Sequence, residues 1–583
     1  MEGERCQPSQ RGVMFDRSTL PADGCFSYLG DGELGGKAAG LAFIKEFLDS
    51  RFPQGRFQDL HLDIPRMTVL RTGLFEQFLS YNALSLEELA GLDDGEIALR
   101  FQKAELPASI VGDLLALIAG AHAPLAVRSS SLLENALDQP FAGVYATKMI
   151  PNNQVDAESR FRKLLEAVKF VYASTYFRRA RDYALAAGRA LGEERMAVII
   201  QEVVGLRFAD RFYPTVSGVA RSHTFYPIGY ARREEGVAHL ALGLGKTIVD
   251  GGATWSFSPA HPRTPPPYTS LRQLAQNTQT RYWAVNMGRP AEYDPIRETE
   301  YLVRGSLEEA ESEGSLAYVC STLDQESDRL NMGLAGSGPR LLDFSPILIG
   351  RIAPLAELLQ ELLALAKERV GGEVELEFAL AFDPHGRRSA RFGFLQVRPL
   401  VMRAASGRVE LDSIDPARVL VRSDTVLGAG ACQGLRHVVY VKPRQFDLAD
   451  TPRIARELER INARLLSQRT PYLLIGFGRW GSADPWLGIP VSWSQISAAR
   501  VIVEGTLPEM SPDPSQGSHF FHNLSSLGIP YFSVAGAAGE AICWTWLDSL
   551  AAVEESSLLR HVLSPVDLRI LVDGEAGKGV ITR

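Results

Sequence analysis

A lysine set among glycines is the first residue in this chain that could do chemistry. The segment GELGGKAAGL (32–41) carries Lys37. Glycine lets backbone N–H groups come close to an anion, and an ammonium adds a mobile point charge. The spacing GxxxxGK[ST] is absent, so this is not a P-loop, and standing alone the segment reads as a turn. The second place is LAVRSSSLLENALDQPFAGVYATK (125–148). Here a strand-like LAV delivers Arg128 and three serines, then Glu134, then a loop with Phe141 and Gly143. The planar fork of arginine suits phosphate oxygens. The plain alternative is a surface arginine paired with Glu134.

The third place permits a geometric reading. VELEFALAF, DPHGRRSA and RFGFLQVRPL (374–400) have the form of a β-hairpin. With the turn centred between Asp383 and Ala390, Glu377 opposes Gln396 and Glu375 opposes Arg398. Side chains alternate with period two, so these four share one face. Val374, Leu376, Phe378 and Leu380 share the other with Leu395 and Val397, which is a sensible core and supports the register. Opposed Cβ atoms are roughly 5 Å apart. A carboxylate and an amide oxygen that close suit a hard divalent cation such as Mg²⁺, and Arg398 lies one step along to hold a bridged phosphate. The alternative is a solvated polar face with a Glu375–Arg398 pair.

Toward the C-terminus, IGFGRWGSADPWLGIPVSW (475–493) shows a GxGxxG, but Pro485 and Pro490 forbid the helix a dinucleotide fingerprint requires. Arg479, Trp480, Asp484 and Trp486 there suit a sugar or other polar ligand, or the loop is a tight structural turn. DPSQGSHFFHN (513–523) brings His519 and His522 beside small polar residues. Imidazole accepts phosphoryl groups, and two histidines three apart reach one metal ion if helical.

The elements that must position these groups are of mixed type. Residues 157–187 predict one long amphipathic helix or two in succession, and MAVIIQEVV (196–204) predicts a buried strand. A Leu-rich helix from Pro354 to about Val370 is stopped by Gly371-Gly372. Thr451 and Pro452 suit an N-cap and N1 pair for a helix to about Gln468. PYLLIGFGRWG follows as a strand, and GAGACQG (428–434) reads as a turn before the strand LRHVVYV. FSPAHPRTPPPY (257–268) has five prolines and predicts an exposed loop. The fold class expected is α/β (α+β).

Composition narrows the classes of function. The 583 residues suggest three to five structural units and are 45% hydrophobic and 22% charged, which excludes a mostly disordered or fibrous chain. With 61 basic against 69 acidic residues the net charge is −8, so no basic field points to nucleic acid. The apolar stretch 114–127 is too short to span a bilayer and contains Pro124. The first residues, MEGERCQPSQRG, have no apolar run, so no secretory signal and no membrane are expected. Five scattered cysteines with no CxxC fit a reducing cytoplasm.

GGKAAGL, AVRSSSLLEN…FAGVY, ASTYFRRARDY, MAVIIQEVV, SGVARS, GLGKTIVDGG and ELEF…LQVRPL follow one another over roughly residues 30–402. In this order they strongly resemble the nucleotide-binding domain of phosphoenolpyruvate synthase and pyruvate phosphate dikinase. The resemblance implies an ATP-grasp fold with one lobe at 30–205 and a second at 206–403. Residues 1–29 would be an extension and 410–583 a separate α/β domain of unknown role. It implies that ATP and Mg²⁺ are bound, with Lys37 and Arg128 on the phosphates, Gln201, Glu202 and Val204 near the base and ribose, and Glu377 and Gln396 on the metal. Arg398 would stabilise charge on the transferring group, and Phe141–Thr147 would be a mobile loop over the phosphates. The activity implied is ATP-dependent phosphoryl transfer to an unknown acceptor, either a small molecule or a histidine, in cis at His519 or His522 or on another protein. A nucleotide-sensing module without transfer is the alternative. Lys246 stands where the family commonly has the acid of GLGE. The phosphohistidine swivelling domain and the TIM-barrel region of the family are not found, so the complete pyruvate-to-phosphoenolpyruvate reaction is not expected of this chain alone.

Overall fold

The computed structural model describes residues 13–17, 26–52, 56–57, 59–134, 143–186, 189–190, 192, 194–266, 268, 270–288, 291–384, 389–400, 414–506, 518–534, 541–574 and 576–583. The chain forms two compact units. The first comprises residues 1–222, 240–245 and 279–399, and the second comprises 223–239, 246–278 and 400–583.

In the first unit one sheet contains β1 (Phe26–Leu29), β3 (Met67–Leu70), β4 (Leu125–Ser131), β5 (Thr147–Ile150) and β6 (Met196–Glu202). Their spatial order is β1, β3, β6, β4, β5, with Val13–Met14 at the β1 edge. The apolar run of β6 is buried along Met196–Gln201, because helices cover the sheet. These include α1 (Gly35–Arg51), which packs on β4, and α3 (Ala157–Ser174), which also packs on it. The predicted helix over 157–187 is two helices: α3, capped by Asp156 accepting from the Ser159 N–H at 2.6 Å, and a second over Arg178–Ala186. The Leu-rich helix α4 (Leu355–Val370) ends where expected, with Gly371 in the left-handed region at φ +74°.

A second sheet of this unit is built on β7 (Val216–Arg221), β8 (Val374–Ala381) and β9 (Ala390–Pro399), with β2 (Leu60–Asp63) parallel to β9. The two lobes expected at 30–205 and 206–403 are therefore interleaved. Residues 60–63 leave the first segment to pair with Ala390–Gly393, and Arg391 ties to Asp63 at 2.9 Å. Across β8 and β9, Phe378 and Phe392 stack at 5.0 Å.

Among its described residues the second unit has a nine-stranded mixed sheet. Its parallel part runs β10 (Gly430–Val441), β11 (Tyr472–Phe477), β12 (Ala499–Gly505), β13 (Tyr531–Val534). The helix α5 (Thr451–Ser467) links β10 to β11, and α6 (His519–Leu527) links β12 to β13. β14 (Leu559–Asp573) and β15 (Lys578–Thr582) complete it antiparallel. Gly430–Cys432, expected as a turn, instead belong to β10 and pair with Ile570–Val572, with register shifts that absorb the glycines. Thr451 opens α5 rather than capping it. Asp450 precedes the helix, and the Thr451 hydroxyl donates to the Leu448 carbonyl at 2.8 Å.

Two segments expected in the second lobe, 223–239 and 246–278, cluster with the C-terminal unit. Arg233 donates to the Gly574 carbonyl at 2.6 Å and Phe225 meets Phe521 at 5.8 Å. The break expected between 403 and 410 falls outside the described residues, beside the unit boundary at Pro399.

In this unit His437 Nδ1 and His561 Nε2 lie 2.9 Å apart. Burial, then His437 and Arg464, push His561 down to about 4 from 6.5. The folded ring stays neutral where the unfolded chain takes up a proton. Stability is thus complete above about pH 6.5 and falls as pH drops toward 4, by about 3 kcal/mol. Urea midpoints at pH 7 and 4.5 check this, and the same comparison on His561→Gln should lose most of the slope.

Candidate functional site

Four of the expected residues, Lys37, Arg128, Glu377 and Gln396, meet in the first unit, on the four elements α1, β4, β8 and β9. Lys37 lies in the first turn of α1, whose entry is unusual. Gly35 sits at φ +73°, and a Cβ there would stand 1.6 Å from the Ser130 carbonyl oxygen. Only glycine lets α1 start this close to β4. Gly35→Ala is expected to cost about 2–4 kcal/mol, as steric strain on a left-handed backbone does, read as a drop in the denaturation midpoint.

The three serines of β4 then divide the work. Ser130 Oγ accepts from the Ala38 N–H at 3.0 Å and donates to the Leu34 carbonyl at 3.0 Å, closing the start of α1. Ser129 Oγ lies 3.2 Å from the Lys37 ammonium and 2.7 Å from Glu134 Oε1. Ser131 and Glu134 exchange hydrogen bonds: the Glu134 N–H donates to Ser131 Oγ at 3.1 Å, and the Ser131 N–H donates to Glu134 Oε2 at 3.0 Å. Glu134, 2% exposed, is thereby aimed at Lys37 and pairs with it at 2.7 Å. Burial lowers the Lys37 pKa most. Arg128 lowers it further, while Glu134 and Glu377 raise it.

Arg128, at the middle of β4, does not pair with Glu134. It reaches from one sheet to the other. Its Nη2 donates to Glu377 Oε2 at 3.1 Å and to Gln396 Oε1 at 2.8 Å, and its Nη1 to the Leu395 carbonyl at 3.2 Å. Glu377 opposes Gln396, and Glu375 opposes Arg398, in the expected register. The register then shifts by one between Glu377 and Phe378, so Phe378 faces Phe394 rather than Leu395. Leu395 consequently packs toward Ala379, Ala381 and Val204 on the face of the acids.

That face is not solvated. Glu375 is 1% exposed and Arg398 4%, and Arg221 of β7 lies opposite Glu375. Both guanidiniums bind the one carboxylate, Arg398 Nε at 2.6 Å. Arg398 is therefore held by Glu375 in the free protein. Gln201 is buried in β6 with its amide toward Met67 Sδ at 4.0 Å, and the Glu202 N–H donates to the Arg66 carbonyl at 2.9 Å. Val204 touches the hairpin: a Cβ on Gly393 would meet its Cγ2 at 2.4 Å. Phe141 and Ala142 lie outside the described residues. The described remainder of the expected mobile loop is anchored, with Val144 and Tyr145 buried, the Tyr145 hydroxyl donating to Glu194, and the Thr147 N–H donating to Glu298 at 2.8 Å.

His519 belongs to the second unit and is not among this set. It opens α6 and is half-buried, whereas His522, one turn on, is fully buried. Among the described residues no group of three or more His, Cys, Asp or Glu could hold a metal ion. Arg479 and Ser482 of the GxGxxG loop bind the carbonyls of Gly251 and Gly252 and so clamp a neighbouring turn of that unit. In that turn Lys246 pairs with Asp250 at 2.9 Å. Among the described residues no helix is long and apolar enough to cross a membrane.

Glu134 and Arg221 were not anticipated in these roles. Ser131-x-x-Glu134 is the spacing of a capping box and signals the first. An arginine inside the apolar strand SGVARS signals that a carboxylate must meet it, though not which one.

The family described as pyruvate phosphate dikinase, AMP/ATP-binding domain, matches residues 32–417. No curated protein matches the chain.

Proposed function

This chain belongs to the family of the pyruvate phosphate dikinase AMP/ATP-binding domain, and from that premise we propose that it is a Mg²⁺-dependent phosphotransferase that uses ATP. One observation carries the reading. A single cationic nitrogen, Arg128 Nη2, is shared by one carboxylate oxygen of Glu377 and the amide oxygen of Gln396. Two hard oxygens that already converge on one cation fit Mg²⁺, which takes few protein ligands and completes its shell with phosphate oxygens and water. Bound there, the metal would neutralise charge on the phosphates.

The side chains have separate tasks. Lys37, half-buried and steered by Glu134, donates to a phosphate oxygen as a point charge. Arg128, released from Glu377 and Gln396, turns its fork to the phosphates. Arg398 keeps one side on Glu375 and offers the other to charge on the transferring group. Gln201, Glu202 and Val204 line the base and ribose. In the transfer a phosphoanhydride P–O bond of ATP breaks, the bridging oxygen and its electron pair leave with the shortened nucleotide, and the phosphorus bonds to an oxygen or nitrogen of the acceptor, which gives up its proton to solvent. The acceptor is a small molecule or a histidine, and within this chain His519 is the candidate.

Incubation with ATP labelled at the β or γ position tests the reading. Label that stays on the protein through base but not acid, and is lost in His519→Asn, assigns the acceptor in cis. Label in a small product or an added histidine protein assigns it in trans. Saturable Mg²⁺-dependent ATP binding with no turnover or label across acceptors would overturn transfer. It would leave a nucleotide-sensing module, the reading favoured by Lys246, which stands where the family commonly has an acid and pairs with Asp250.

A further inference from the structure

We propose that a cleft of about 330 Å³ in the first unit binds a small organic oxyanion, a carboxylate or phosphate ester carried on an apolar body. The inference does not depend on the nucleotide reading, because it uses none of the residues assigned there. The cleft lies where the loop before β4 meets the segment after β5, and Arg160 of α3, Arg207 and His122 line it together with Asn152. Phe212 and Met287 give it an apolar wall. Among the described residues no aspartate or glutamate lines it, in a chain whose acids outnumber its bases by 69 to 61.

The cationic side chains are fixed without being neutralised. Arg160 is 6% exposed, and its Nη1 donates to the carbonyls of Ile118 and Ala121, at 2.8 and 2.7 Å, where the helix α2 (Ala108–Gly120) ends. Arg207 Nε donates to the Ala209 carbonyl at 3.0 Å. Among the described residues neither guanidinium has a carboxylate partner. Two arginines with charge uncompensated beside one cleft favour an anion by Coulomb attraction, most strongly where the dielectric is lowered by burial.

The walls are also held in advance. Asn152 adopts φ +50°, and its amide nitrogen donates to the carbonyls of Ala121 and Ala123 at 2.8 and 3.0 Å, so the two loops are stitched together. The Arg160 Nε, Asn152 Oδ1 and Gln154 Oε1 atoms are buried and have no hydrogen-bond partner in the protein, and all three residues line the cleft. Buried polar atoms of that kind ask for an explanation, and three at one cleft are accounted for by a polar ligand with its ordered water, the amide oxygens accepting from the water or from a ligand hydroxyl. The apolar wall then selects a body beyond the anion: Met287 is 6% exposed and packs with Phe212 beside Val203 and Val285.

The test is calorimetric titration of the full chain with phenyl phosphate, benzoate and inorganic phosphate. Phenyl phosphate or benzoate should bind saturably, and inorganic phosphate at least tenfold more weakly. The tighter of the two aromatic probes names the anion. Arg207→Gln changes an exposed side chain and should weaken the probe at least tenfold, while Lys37→Met leaves it unchanged. Absence of saturable binding by every probe overturns the proposal. So does binding that Lys37→Met abolishes and Arg207→Gln does not, since that places the anion beside Lys37. Displacement of the probe by a non-hydrolysable ATP analogue, with Arg207→Gln weakening the analogue equally, would make the cleft part of the nucleotide site and overturn it as well.

Discussion

Glu377→Ala should lower Mg²⁺-dependent turnover of ATP by about 10²–10³-fold, the scale on which removing one electrostatic contact to a developing charge acts. Glu377 supplies the only formal negative charge of the Glu377–Gln396 pair. An amide oxygen alone does not pull Mg²⁺ out of its hydration shell, so the substitution removes the metal rather than displacing it. The fold should tolerate the change. The Glu377 side chain is 15% exposed, and Arg128 keeps the Gln396 amide and the Leu395 carbonyl. Turnover against Mg²⁺ concentration, with the thermal midpoint as a control, checks this. A variant with wild-type metal dependence and an intact fold would remove Glu377 from the site and with it the main support for the proposed chemistry. Glu377→Gln is the sharper companion. It keeps size and hydrogen bonding to Arg128 and removes only the charge, so it should lose nearly as much.

The hairpin was legible because each half alternates with period two, and burying both halves leaves one register. Glu377 and Gln396 were paired correctly for a further reason: the bulge falls just beyond them, between Glu377 and Phe378. One residue earlier, it would have broken the pair. The burial of Glu375 and Arg398 was not legible, because the residue that makes it possible, Arg221, lies 154 positions before Glu375. A charged face reads as solvated until a third strand brings the second arginine. The same holds for Glu134. Its capping spacing is local, but that the capped turn points a carboxylate at Lys37, 97 residues earlier, depends on α1 arriving through Gly35. The assignment of 223–239 and 246–278 to the second unit rests on contacts such as Arg479 with Gly251 and Gly252, and neither partner advertises the other in sequence. Local periodicity thus gave the strands and most helices, while pairings across long separations decided which charged groups are buried and which are offered to a ligand.

Arg128→Met should act in two opposite directions, and that combination separates a binding role from a merely structural one. Turnover of ATP should fall by about 10²–10³-fold, because the fork that would grip the phosphates is gone. Affinity for a divalent cation without nucleotide should rise, because in the free protein the guanidinium already holds the two oxygens proposed for the metal, at 3.1 and 2.8 Å. Cation and guanidinium compete for the same lone pairs, so removing one favours the other. The charge of the site favours the same outcome: with Lys37 already paired to Glu134, loss of Arg128 leaves Glu377 without its cation. Leaving that acid unpaired and cutting the tie between the two sheets should also cost stability, on the order of 1–3 kcal/mol for a partly exposed pair. Mn²⁺ titration followed by electron paramagnetic resonance measures the affinity directly. A several-fold tighter Mn²⁺ with depressed turnover supports the competition. Unchanged Mn²⁺ affinity in a folded variant would mean that the oxygens under Arg128 are not where the metal binds, and Glu377 would then matter only as the arginine's anchor.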